Sequence, residues 1–137
     1  MSAFTVQLGD RPGELARLCE VMAAHKVNIV LSAIAHGQQG SIAFVVDDER
    51  VARTALQDAE IEFVERPALT VRMENVSGAG ATSFRRLADA GVNLELLLPV
   101  QVSREEFFAV VCVDDVDAAR AALGSYVVGE QEPEPPR

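Results

Sequence analysis

Residues 4–8, FTVQL, alternate apolar and polar side chains and include the aromatic Phe4 and the β-branched Thr5 and Val6, the period-two pattern of a half-buried strand. The GDRPG that follows breaks it. Leu15, Leu18, Cys19 and Met22 then recur at i, i+3, i+4 and i+7, which predicts one apolar stripe on a helix ending near Lys26. Pro12 suits that helix's first turn, where its missing N–H would have no partner. Residues 27–35 and 41–46 read as two strands around a turn at 37–40, an antiparallel hairpin. Asp48 can cap a short second helix that buries Val51, Ala52, Ala55 and Leu56, and residues 61–66 supply a fourth strand.

The same order then repeats. Phe4 and the TVQL after it match Leu69 and TVRM, and Val27-Asn28-Ile29 matches Val92-Asn93-Leu94, both at an offset of 65 residues. Further along the offset is 67, where Val46-Asp47-Asp48 matches Val113-Asp114-Asp115. Two residues have entered the second copy, and the hairpin turn at 101–106 is the expected place for them, since turns tolerate insertion. The second copy reads as a strand at 69–74, a helix from about 78 to 90, strands at 93–100 and 107–113, a helix at 116–123 ended by Gly124, and a strand at 126–128.

Strand, helix, strand, strand, helix, strand is the ferredoxin-like order. The expected fold class is therefore α+β: two ferredoxin-like βαββαβ units in tandem, each an antiparallel sheet with both helices on one face. Residues 1–67 and 68–128 are the two domains, and the acidic, proline-rich 129–137 is expected to be a disordered tail. A module of about 65 residues has little core of its own, so pairing of the copies and homodimerisation of the chain are expected to cover the remaining sheet surface.

Charge removes several function classes. Twelve Lys and Arg stand against 21 Asp and Glu, a formal net charge of −9, which is the wrong sign for nucleic acid or an anionic membrane as partner. Two distant cysteines cannot ligate an iron–sulfur cluster, no CxxC follows the first strand, and His25 and His36 lack metal-ligand spacing, so no cofactor and no metal are expected. Free cysteines in apolar stretches, no span of membrane length and no signal peptide point to the cytoplasm. Residues 78–83 imitate GxGxxG but lack the third glycine, and the hairpin that follows contradicts a parallel nucleotide-binding sheet. No nucleophile, base and orienting group can be named, so an enzyme ranks last.

The loop LGDRPGELARL and the later HKVNIV resemble the ACT domain, a small-molecule-sensing module of amino-acid metabolism that also occurs as free-standing tandem pairs. The resemblance extends to about Val128. It implies an effector between the first loop of one domain and the second strand of a neighbour, hence Asp10, Arg11, Pro12, Gly13 and Glu14 with Asn28, Ile29 and Val30. Carried across the repeat, it implies Asn75, Ser77, Gly78 and Asn93. Elementary physics agrees, because the amides and dipole at a helix start favour a carboxylate, while Asp10 and the Asn28 carbonyl can accept from an ammonium. The same residues also serve any strand-to-helix turn as reversal and cap. In the second copy Ser77 replaces Pro12, and Gly80 and Ser83 replace Leu15 and Leu18, which puts that pocket in question and offers a close packing place for another subunit. Three readings follow: a sensor of a small metabolite, with an amino acid first among the candidates; a detached regulatory subunit docking on a biosynthetic enzyme; and a duplicated structural homodimer with vestigial pockets.

Overall fold

A computed structural model describes residues 1–129; the rest of the expected tail lies outside the described residues. The chain divides into two compact units, Ser2–Arg66 and the segment from Pro67 onward together with Met1. Among the described residues no helix is long and apolar enough to cross a membrane.

The first unit runs β1 (Ser2–Gly9), α1 (Glu14–Ala24), β2 (Ile29–His36), β3 (Gln39–Val46), α2 (Glu49–Asp58) and β4 (Val64–Pro67). Its sheet has the order β2-β3-β1-β4, with β3 antiparallel to both β1 and β2. Alternation along the strands sends Phe4, Val6, Ile42 and Phe44 to one face, where they form a single core with Leu18 and Met22 of α1 and Ala52, Ala55 and Leu56 of α2. Phe4 stacks on Phe44 with ring centroids 5.4 Å apart. Arg53 of α2 clamps Glu65 of β4 through two hydrogen bonds of 2.6 and 2.8 Å, which ties the edge strand to the helix.

Three local expectations are corrected here. Helix α1 starts after Pro12, because Gly13 at φ +92° takes the N-cap position and reverses the chain there. Leu15 is 40% exposed, so the buried stripe of α1 is carried by Leu18 and Met22. Strand β4 begins at Val64 rather than residue 61, since the Ile61 amide is spent on the Leu56 carbonyl (2.9 Å) as α2 ends, and its side chain is buried before the ladder begins.

The second unit runs β5 (Leu69–Glu74), α3 (Ala79–Asp89), β6 (Leu94–Val102), β7 (Glu106–Val113), α4 (Val116–Leu123) and a 3-10 turn (Gly124–Tyr126), with sheet order β5-β7-β6. Leu69, Val71, Met73, Leu87, Val111 and Leu123 are among its core residues. Ser83, where the first copy has Leu18, is buried and satisfied by the Ala79 carbonyl one turn back at 2.9 Å. The expected strand at 126–128 is a correction: Tyr126 belongs to the 3-10 turn, with Arg86 over its ring, and only a Val71–Val127 bridge and a Val128 amide bond to Thr70 remain.

The two inserted residues are not in the turn. His36 pairs with Gln39 across a two-residue turn in the first copy, and Ser103 meets Glu106 across an equally short one in the second, at a uniform offset of 67. The register of β6 against β7 instead breaks twice, between Leu94 and Leu96 and between Pro99 and Gln101. The insertions are β-bulges in an edge strand, one of them beside Pro99, whose missing N–H cannot continue a ladder.

The repeated Asp-Asp pairs divide their labour identically. Asp48 and Asp115 cap their helices, accepting from the Val51 and Ala118 amides at 3.1 and 3.0 Å. Their neighbours Asp47 and Asp114 accept instead from the backbone amides of Asn28 and Asn93, both at 2.9 Å. The Val-Asn and Asp-Asp motifs of each copy are thus halves of one clasp closing the end of the hairpin.

Candidate functional site

In each unit the first strand delivers the chain to an exposed loop and a glycine starts the helix. Gly13 and Gly78 have φ values of +92° and +90°, and a Cβ at either would meet open space, so conformation and not crowding selects glycine. Neither helix start carries a side-chain cap. The Glu14 and Ala79 amides turn back to the Arg11 and Val76 carbonyls at 3.4 and 3.3 Å, and the next two amides of each helix have no intrahelical acceptor, with the positive end of the dipole behind them.

Hydrogen bonds fasten both loops to the tip of the neighbouring hairpin. The Asp10 amide donates to the Gln38 carbonyl at 2.9 Å, and the Asn75 amide to the Glu105 carbonyl at 2.9 Å. The Asn75 side chain adds a bond from Nδ2 to the Ser103 carbonyl at 2.6 Å. Arg11 and Glu14 form an ion pair of 3.0 Å across the first loop. Asp10, Arg11, Pro12 and Gly13 are exposed, with Glu14 half-buried; Asn75, Ser77 and Gly78 are exposed in the second loop.

Asn28, Ile29 and Val30 are not brought to this loop. Gly9 pairs with Gln39 at one end of β3, whereas Asn28 is clasped to Asp47 beyond its other end. The separation is about the length of the strand, roughly 25 Å at ~3.3 Å per residue. Asn93, clasped to Asp114, stands at the far end of the second sheet in the same way. A single unit cannot close Asp10 and Asn28 on one ligand; another unit would have to bring the second group.

The second copy, whose pocket the sequence put in question, has a cavity of about 230 Å³ at this loop, lined by Met73, Asn75, Val76, Gly80, Phe84 and Phe107 among others. A more polar hollow of about 280 Å³ adjoins it and includes Arg72, Arg104 and Glu106. Of the residues expected at the site, only Asn75 lines the first cavity. Phe84, Leu97 and Phe107 escaped the sequence reading because they come from three elements that only the fold unites. Gly80 was the available signal: a glycine in the first turn where the other copy has Leu15 removes a side chain from the cavity wall.

No family model matches the sequence, and no curated protein matches it. Solved structures do. Protein BT0572 from Bacteroides thetaiotaomicron superposes with a TM-score of 0.81 at 21% identity, covering 93% of this chain and 90% of that one. The regulatory subunit of aspartate kinase from Thermus thermophilus, in its ligand-free form, gives 0.68 at 21% identity over 91% of each chain. The corresponding subunit from Thermus flavus gives 0.64 at 21%, covering 91% of this chain and 92% of that one. This chain has the fold of those regulatory subunits. The tandem ferredoxin-like fold implied by the ACT resemblance is the one observed.

Proposed function

We propose that this chain is a non-catalytic regulatory protein, acting in the cytoplasm as a homodimer, that binds a small metabolite, an amino acid, at the strand-to-helix loop of an ACT-like unit. The observation that carries the reading is the cavity of about 230 Å³ beside the uncapped start of α3. Outward amides suit an α-carboxylate, and nearby side-chain oxygens suit an ammonium. Among the described residues no group of three His, Cys, Asp or Glu side chains could hold a metal ion, and the cavity lining gathers no nucleophile with a base.

Dimerisation is supported by the free edge of the first sheet. Among the described residues strand β2 pairs only with β3 and carries no Asp, Glu, Lys or Arg, with Ile34 69% exposed and Val30 40% exposed, whereas the corresponding edge β6 is broken by two bulges and Pro99. A second reading, a regulatory subunit that docks on a biosynthetic enzyme, is supported by the match to regulatory subunits of aspartate kinase. Pull-down from the native cell tests it, and recovery of the chain alone counts against it.

Thermal melting of the pure protein against the common amino acids tests the main reading. A ligand at 100 times its Kd stabilises by about 2.7 kcal/mol, which raises the midpoint by several degrees in a protein this small. A midpoint that no amino acid moves would remove the reading.

A further inference from the structure

Duplicated sites need not remain equivalent, and the wall of the cavity differs between the copies at almost every place. Structural equivalence sets Val76 against Arg11, Ala79 against Glu14, Gly80 against Leu15, Phe84 against Cys19 and Phe107 against Gly40. In the second copy these residues, with Met73 and Leu97, make a largely apolar chamber whose lining also includes Glu74 and Asn75. In the first, the Arg11–Glu14 ion pair spans the loop at 3.0 Å, Leu15 stands where Gly80 leaves space, and no aromatic ring is present at either of the last two places.

From this contrast we propose that the second copy is the receptor and that its ligand is a free amino acid with an apolar side chain of about the size of leucine or phenylalanine. The inference rests on the reading above and names the substrate class of that site. An apolar cavity of roughly 150 Å³ holds benzene. The chamber of about 230 Å³ therefore takes one apolar side chain and its α-carbon. A charged side chain would lose hydration against Met73, Phe84 and Phe107, and Glu74, the one charged residue of the lining, would repel an acidic one. The polar end of the ligand meets the loop. Asn75 spends its Nδ2 on the Ser103 carbonyl, which leaves its Oδ1 as an acceptor for the ligand's ammonium. The amides at the start of α3 take the carboxylate.

The full chain is titrated by calorimetry and melted with leucine, isoleucine, methionine and phenylalanine, and separately with lysine, aspartate and threonine. The apolar set is expected to bind and raise the midpoint by several degrees. Gly80→Leu, which restores the first copy's side chain, should abolish binding. Its unliganded midpoint should hold or rise, because leucine is the better helix former and the Gly80 Cβ direction meets only the Phe84 ring at 3.4 Å. Should that variant fail to fold, Ala79→Glu, which restores the first copy's acid in the first turn of the helix, supplies the same test with a carboxylate at the cavity. Apolar amino acids still binding to either folded variant would overturn the placement. Binding of only charged or polar amino acids would overturn the ligand class and leave the regulatory reading standing, whereas binding of none would remove both.

Discussion

At the scale of the residue, identical neighbours do different work. Asp48 and Asp115 each hold a helix start, and replacing either by alanine is expected to cost about 1 kcal/mol, read from chemical denaturation. Asp47 and Asp114 close the hairpin ends on the amides of Asn28 and Asn93. The Asn-and-Asp motif was visible in the sequence, but its partners lie 19 and 21 residues apart in the chain, and only strand register shows them to be one clasp. Glycine at 78 is conformational: Gly78→Ala should destabilise by about 1–2 kcal/mol, because an alanine there must adopt the left-handed backbone. An equally stable Gly78→Ala protein would show that the loop relaxes to another path.

Glu65 makes a residue-scale prediction in pH. The hydrogen bonds from Arg53 hold its carboxyl below the ordinary carboxylate range. Its contribution is thus complete above the unfolded carboxylate value and is lost as pH falls through the lower folded value. Glu65→Gln should melt below the parent at about pH 7, and the difference should close in strong acid. A gap that persists in acid would assign the effect to packing.

Among the elements, the strong periodicities were legible: β1, α2, β5 and α4 lie where alternation or helical spacing put them. What escaped was decided by competition for backbone groups. The Ile61 amide bonds to Leu56 and delays β4, and the 3-10 turn at Gly124–Tyr126 consumes most of the strand expected at 126–128. Aligning the copies revealed two extra residues but not their place, because an insertion in a strand leaves the same gap in a repeat as one in a turn. Pro99 was the readable sign of a bulged edge. Of the cavity, only Asn75 was among the residues the sequence singled out, whereas its wall is assembled from β5, α3, β6 and β7, which no single spacing joins.

For the whole molecule, duplication has given two units of one fold with different edges and different loops. The uncharged edge β2 should pair with a second copy of the chain, so sedimentation equilibrium is expected to show a dimer and Ile34→Lys a monomer with an intact fold by circular dichroism. A dimer unaffected by Ile34→Lys would move the interface elsewhere. The core of the first unit is expected to be intolerant: Phe4→Ala removes a ring packed on both Phe44 and Phe63 and should cost about 3–5 kcal/mol.

Whether an amino acid sits in the chamber at the start of α3 is decided by following backbone amide resonances while an apolar amino acid such as leucine or phenylalanine is added to the labelled protein. Saturable shifts are expected, centred on Asn75, Gly78, Gly80 and Ala81, with the equivalent amides from Asp10 to Ala16 little changed. Shifts confined to the first loop, or a spectrum unmoved at saturating concentration, would contradict that placement.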